Sequence, residues 1–156
     1  MLTQPISPKT RDAVLQIANS QIGVTEAPPG SNRQKYGEAY GLNGQPWCLM
    51  FVWWVFREAG FNLRKECSCT RFTNAYKAAG QWVTSGYKPG DIAMFDFSGK
   101  HAKTEHTGIV YDVQPDRLIT IEGNTGRGNN ANGGKVMMRA RSLRCVTGAC
   151  RPGYNM

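Results

Sequence analysis

Apolar positions change their spacing once along this chain, dividing it into a helical half and a strand half. In the first half Ala13, Val14, Ile17, Ala18 and Ile22 recur three and four residues apart, the period of one helix face. Ser7 followed by Pro8 reads as a cap with proline at the first helical position, and Gly23 as the end of that helix. Residues 26–31 read as a loop. Ser31 is expected to cap a short helix over 36–40, before a second loop over 41–46. Residues 47–59 are almost wholly apolar as far as Arg57, so this segment is expected to be a helix in the middle of the core, stopped by Gly60. A further helix over 70–79 closes at Gly80. Phe51, Trp53, Trp54 and Phe56 read as core.

From Lys88-Pro-Gly-Asp91 onward the segments become short, often β-branched and separated by turn residues. They predict strands over 92–97, 107–113, 118–122, 135–139 and 143–147, with Asp91 as a turn or strand-start residue and 124–134 as a Gly- and Asn-rich surface loop. Helices followed by consecutive strands predict an α+β fold. N-terminal helices would pack on a C-terminal antiparallel sheet of about five to six strands, in one domain over 1–156. No run approaches the roughly 18 apolar residues that cross a bilayer, and the N-terminus lacks the basic-then-apolar pattern of a secretory signal. Synthesis in the cytoplasm is therefore expected, with action elsewhere after release or delivery.

Charge and cysteine content change this picture little. Lys and Arg total 19 against 11 acids, a net charge of +8, which favours anionic partners. The charges are scattered, apart from Arg139, Arg141, Arg144 and Arg151, and read as a solvated basic surface. No nucleic-acid-binding motif accompanies them, so nucleic acid is not an expected partner. Five cysteines leave at least one unpaired within the chain. Cys67, Cys69, Cys145 and Cys150 form a C-x-C and a C-x4-C, without the C-x2-C knuckle and histidine usual at zinc. A zinc site or one disulfide stays open; reduced cysteines packed as small apolar residues are the plainer expectation.

Cys48 carries the candidate chemistry. It opens the apolar helix, where the positive end of the helix dipole favours a thiolate. The chain has two histidines. His101 lies in a polar loop, whereas His106 opens a strand and is held by a sheet. If Gln114-Pro-Asp116 forms a three-residue turn and Val113 pairs with Arg117, His106 faces Asn124 and Glu122 faces Gly108. Side chains alternate along a strand, so His106, Glu122 and Asn124 then share one face. A two-residue turn would put the acid and the histidine on opposite faces. A nucleophile, a base and a group that orients the base are the minimal set for covalent acyl transfer. Either Glu122 or Asn124 could hold the imidazole, and the Cys48 backbone N–H is a natural oxyanion donor.

Pro46-Trp-Cys-Leu-Met-Phe-Val-Trp-Trp54, Lys88-Pro-Gly-Asp-Ile-Ala-Met-Phe95, His106-Thr-Gly-Ile-Val110 and Ile121-Glu-Gly-Asn-Thr125, in that order, resemble the successive blocks of CHAP domains. Those are cysteine- and histidine-dependent amidohydrolases/peptidases of the NlpC-like, papain-like superfamily, found in phage endolysins and bacterial autolysins. The resemblance implies Cys48 as nucleophile, His106 as general base, Glu122 orienting it and Asn124 completing the site. It implies peptidoglycan as substrate, cut at the sugar–peptide amide or within the stem or cross-bridge, without a cofactor. Some relatives bind calcium before the cysteine; here only Asp12, Glu26 and Glu38 precede it, too sparse to cage a hard cation, so metal-independent action is expected. Trp47, Tyr36 and Glu26 are expected to border the substrate groove. A monomer is expected. An antibacterial effector with an immunity protein as partner, or an inactive wall-binding module, are the alternative readings.

Overall fold

The computed structural model describes residues 9–126 and 132–154. Ser7 and Pro8, expected to start the first helix, lie outside that range. Helix α1 spans Arg11–Ser20 and is capped by Thr10, whose side chain accepts the Ala13 N–H. Helix α2, Lys35–Tyr40, is capped by Gln34 rather than Ser31: the Gln34 side chain accepts the Gly37 N–H, while Ser31 bonds the Arg33 N–H one turn earlier. Helix α3 is Cys48–Glu58 and α4 is Cys69–Ala78, the latter capped by Ser68. Among the described residues no helix is long and apolar enough to cross a membrane.

The strands are β1 (Trp82–Val83), β2 (Ile92–Phe95), β3 (His106–Val113), β4 (Arg117–Thr125), β5 (Lys135–Ser142) and β6 (Val146–Cys150). They form one antiparallel sheet in the order β1-β6-β2-β3-β4-β5. The fold is α+β, as the order of elements predicts. Two details differ from expectation. The short strand β1 has no period of its own and exists because β6 offers it an edge, pairing Trp82 with Cys150. Residues 143–145, expected in a strand, form a 3-10 turn instead, capped by Ser142.

Helix α3 packs across β3 and β4, burying Leu49, Met50, Phe51, Val52, Val55 and Phe56. It is not apolar on all sides in its setting. Trp53 and Trp54 are half-buried on the outward side, flanked by Tyr40, Tyr36 and the cations of Lys35, Arg57 and Lys65. Close approach of α3 to β4 depends on Gly123, where a Cβ would lie 2.6 Å from Phe51 Cβ and 3.0 Å from Trp47 Cζ3. Any side chain there pushes helix and strand apart, and with them the two ends of the site described below.

Gly123→Ala is therefore expected to destabilise the protein by about 1–3 kcal/mol, the usual cost of overpacking a core, read as a lower urea midpoint. Gly153→Ala, where an added Cβ meets nothing within 4 Å, should leave the midpoint unchanged.

Candidate active site

The hairpin β3–β4 decides which side chains meet. Its turn is one residue shorter than expected: Val113 pairs with Leu118, not Arg117, and the Gln114 N–H donates to the Arg117 carbonyl at 3.0 Å, leaving Pro115 and Asp116 as a two-residue turn and the register one step off. A bulge at Tyr111 then removes the extra step, so that Val110 pairs with Thr120 and Ile109 with Ile121. Beyond the bulge the register is the expected one. Gly108 lies across from Glu122, and a Cβ on Gly108 would fall 2.5 Å from Glu122 Cγ. The missing side chain leaves the space that the Glu122 side chain occupies.

His106 and Glu122 are both fully buried. The imidazole Nε2 lies 2.8 Å from Glu122 Oε1, and the ring sits beside Phe95 and Phe97, with centroids 5.9 and 6.0 Å away. No hydrogen bond of ordinary geometry satisfies Nδ1. The group against the imidazole on its other side is the Cys48 thiol, close enough that each shifts the titration of the other. The pair is thus in contact without a well-formed bond, as resting sites often are before substrate tightens them.

Cys48 is the first residue of α3, half-buried, and Trp47 before it gives no side-chain cap, leaving the first N–H groups of the helix facing the sulfur's end. Its pKa lies well below that of an ordinary thiol. The largest cause is a hydrogen bond from the Cys69 thiol; burial opposes the shift, and contact with the His106 imidazole and the Thr107 backbone reinforces it. Cys69 is driven the other way, well above the usual value, by the same bond and by burial. Of the two thiols, Cys69 keeps its proton and donates it. Cys67, Cys69, Cys145 and Cys150 are all free thiols, and among the described residues no group of three His, Cys, Asp or Glu could hold a metal ion.

Burial depresses the His106 pKa, but the Cys48 and Glu122 contacts outweigh it and raise the value to about 9. Burial likewise favours a neutral Glu122, yet its pKa falls to about 2 because Arg141 and His106 hold the carboxylate. Arg141 donates twice, Nε to Oε2 at 2.8 Å and Nη2 to Oε1 at 2.5 Å, and Thr120 Oγ1 donates to Oε2 at 2.6 Å. Thiolate, imidazolium, carboxylate and guanidinium therefore follow one another with alternating sign through the interior.

Arg141 and Thr120 escape the sequence reading, which places Arg139 and Arg141 on a solvated basic surface. Arg141 is in fact buried, and Arg139 is half-buried, donating to Thr125 Oγ1 and Gly126 O. The signal was available: Thr120 is two residues before Glu122, and β5 places Arg139 opposite Thr120 and Arg141 opposite Leu118, on the face Glu122 shares.

The other expected site residues bond to other partners. Asn124 is buried, but its backbone has φ +55 and the β4–β5 register shifts between Glu122 and Thr125. Its Oδ1 accepts the Gly134 N–H and its Nδ2 donates to Asn132 Oδ1, each at 3.1 Å. It ties the end of β4 to residues 132–134 just before β5, and among the described hydrogen bonds none joins it to His106. Trp47, Tyr36 and Glu26 are corrected from groove residues to buried supports. Trp47 Nε1 donates to Glu26 Oε2 at 3.2 Å, Glu26 Oε1 accepts the Gly30 N–H, and Tyr36 stacks on Trp47 while bonding Gln21. The reason is geometric: Cys48 turns toward the sheet, so the preceding side chain points into the helical layer. His101 lies outside the site, exposed, 3.2 Å from the Leu143 carbonyl.

The model of the CHAP domain matches residues 40–124, more than half of the chain and inclusive of Cys48, His106 and Glu122. This chain belongs to the CHAP domain family. A search of curated proteins found no match. Solved structures that share the fold include an endolysin and Ly7917. A wild type endolysin, LysIME-EF1, aligns at 15% identity and TM-score 0.59, with 94% of this chain on 65% of that one. Ly7917 aligns at 19% identity and TM-score 0.55, with 92% of this chain on 62% of that one. The CHAP chain thus spans just under two thirds of each.

The charge arrangement predicts that Cys48 is alkylated by iodoacetamide as a thiolate far below the pH of an ordinary thiol, about 8.5. The rate should already be high at pH 6, and His106→Ala should move its onset upward. A wild-type onset near 8.5 would contradict the pairing.

Proposed function

We propose that this CHAP domain hydrolyses an amide bond of bacterial peptidoglycan through a thioester acyl-enzyme. Membership of the CHAP family and the likeness to an endolysin support a peptidoglycan hydrolase. The observation that carries the mechanism is the contact of Cys48 with an imidazole whose other nitrogen is bonded to a buried carboxylate.

The Cys48 thiolate attacks the carbonyl carbon, and the carbonyl becomes an oxyanion within reach of the Cys48 backbone N–H at the start of α3. The imidazolium of His106 gives its proton to the leaving nitrogen, so that the amine departs and the acyl group remains on sulfur. His106, now neutral, takes a proton from water, which attacks the thioester and restores the thiolate. Glu122 keeps Nε2 protonated and the ring aligned throughout, and Arg141 with Thr120 keeps Glu122 ionised. Asn124 acts on the site indirectly, by tying the end of β4 to Asn132 and Gly134. No step calls on a metal. Whether the bond lies between sugar and peptide or within the peptide is set by the groove beside Cys48.

Cys48→Ala and His106→Ala should abolish release of new amino groups from purified peptidoglycan while far-UV circular dichroism stays unchanged. Glu122→Gln should retain measurable turnover, reduced by about 10²–10⁴-fold, the range of a general acid–base contribution. Mass spectrometry of the wild-type digest would identify the cleaved bond. Full activity in Cys48→Ala would refute the assignment.

A further inference from the structure

We propose that the groove between α4 and segment 102–105 is a binding arm for a peptide that carries carboxylates, with Lys77 and Lys103 as its anion-holding groups. This rests on the hydrolase reading above and specifies the substrate it takes.

The groove has a volume of about 540 Å³, within the range of roughly 300–1,000 Å³ usual for ligand clefts. One wall is α4, through Thr70, Asn74 and Lys77; the other is Lys103, Thr104 and Glu105. Its place relative to the nucleophile follows from the chain. Thr70 adjoins Cys69, whose thiol bonds the Cys48 sulfur, and Glu105 adjoins His106. The near end of the groove is thus one residue along the chain from Cys69 on one wall and from His106 on the other.

Both walls are held in place without substrate. Thr70 Oγ1 and Thr104 Oγ1 are 2.9 Å apart and share a hydrogen bond. The Asp96 carboxylate accepts the N–H groups of Ala102 and Lys103 at 3.0 and 2.9 Å, and Thr147 bonds the Lys103 carbonyl. A groove so fixed loses little freedom when it is filled.

Its charge selects the ligand. No ion pair among the described residues involves Lys77 or Lys103, and the Lys77 ammonium is steadied over the Trp82 ring, 5.1 Å from its centroid. The one acid in the lining, Glu105, has an oxygen committed to the Phe97 N–H at 2.8 Å. Two lysines, one in each wall, beside hydroxyl and amide groups suit a chain bearing carboxylates. The stem peptide of peptidoglycan carries such groups, free or amidated.

The test uses Cys48→Ala protein, which binds without turnover, and soluble peptidoglycan fragments with free stem carboxylates or the same fragments after carbodiimide amidation. Free fragments should bind at least about tenfold tighter than amidated ones. Adding Lys77→Met and Lys103→Met should remove most of that difference, about 1.4 kcal/mol for each tenfold. Equal binding of the two fragment sets, or a preference that survives the double substitution, would overturn the proposal. Wild-type protein that leaves free fragments intact would instead overturn the hydrolase reading, and the binding comparison would still decide the role of the groove.

Discussion

The buried carboxylate of Glu122 is the constraint on which the rest of the site depends. An isolated carboxylate in a protein interior takes up a proton rather than stay charged. Here it stays ionised because it receives two donations from Arg141, one from Thr120 and one from His106. Breaking a buried pair of this kind commonly costs about 3–5 kcal/mol, so the four groups stand or fall as a unit. The chemical consequence appears at the far end of the chain of charges. A carboxylate held ionised keeps the imidazole charged, and the charged imidazole reinforces the hydrogen bond from Cys69 in keeping the Cys48 sulfur a thiolate where burial alone would protonate it.

The remainder of the fold serves to bring that sulfur to that ring. Helix α3 lies close on β4 because Gly123 presents no side chain to Phe51 and Trp47. The start of α3 is braced from behind by Trp47, stacked on Tyr36 and bonded to Glu26. Glu26 in turn binds the loop through the Gly30 N–H. These three residues make no groove, but they fix the position of the residue that follows them. On the sheet side, Gly108 gives Glu122 its space and Phe95 and Phe97 fill the surroundings of the ring. Two layers with separate packing thus supply nucleophile and base.

Much of this was legible in the sequence where a simple period governs it. A hairpin with alternating faces is enough to place His106 and Glu122 as neighbours, and an apolar helix beginning at a cysteine marks Cys48; that the two meet is what the resemblance to CHAP domains implies. The hairpin argument reaches the right pairing through a turn one residue too long, because the bulge at Tyr111 cancels the error; a bulge has no clear mark in a single sequence. Asn124 was not legible in the same way. Its left-handed backbone breaks the alternation on which the face assignment rests. Arg141 was hidden because β5 alternates Val136, Met138 and Ala140 with Lys135, Arg139 and Arg141, which reads as a polar outer face; only its pairing across from Leu118 brings it to Glu122. Trp47 and its partners show that nearness in sequence to a nucleophile says little about direction, since successive side chains on a helix start diverge by about 100°.

The most direct test of the account is a ¹⁵N NMR titration of histidine-labelled protein, with His106 assigned by comparison with His101→Gln. The account predicts an imidazolium protonated at both nitrogens at neutral pH, losing a proton only near pH 9. A His106 ring that is neutral at pH 7 would contradict it, since the buried row of alternating charges from Cys48 to Arg141 would then be broken at its second member.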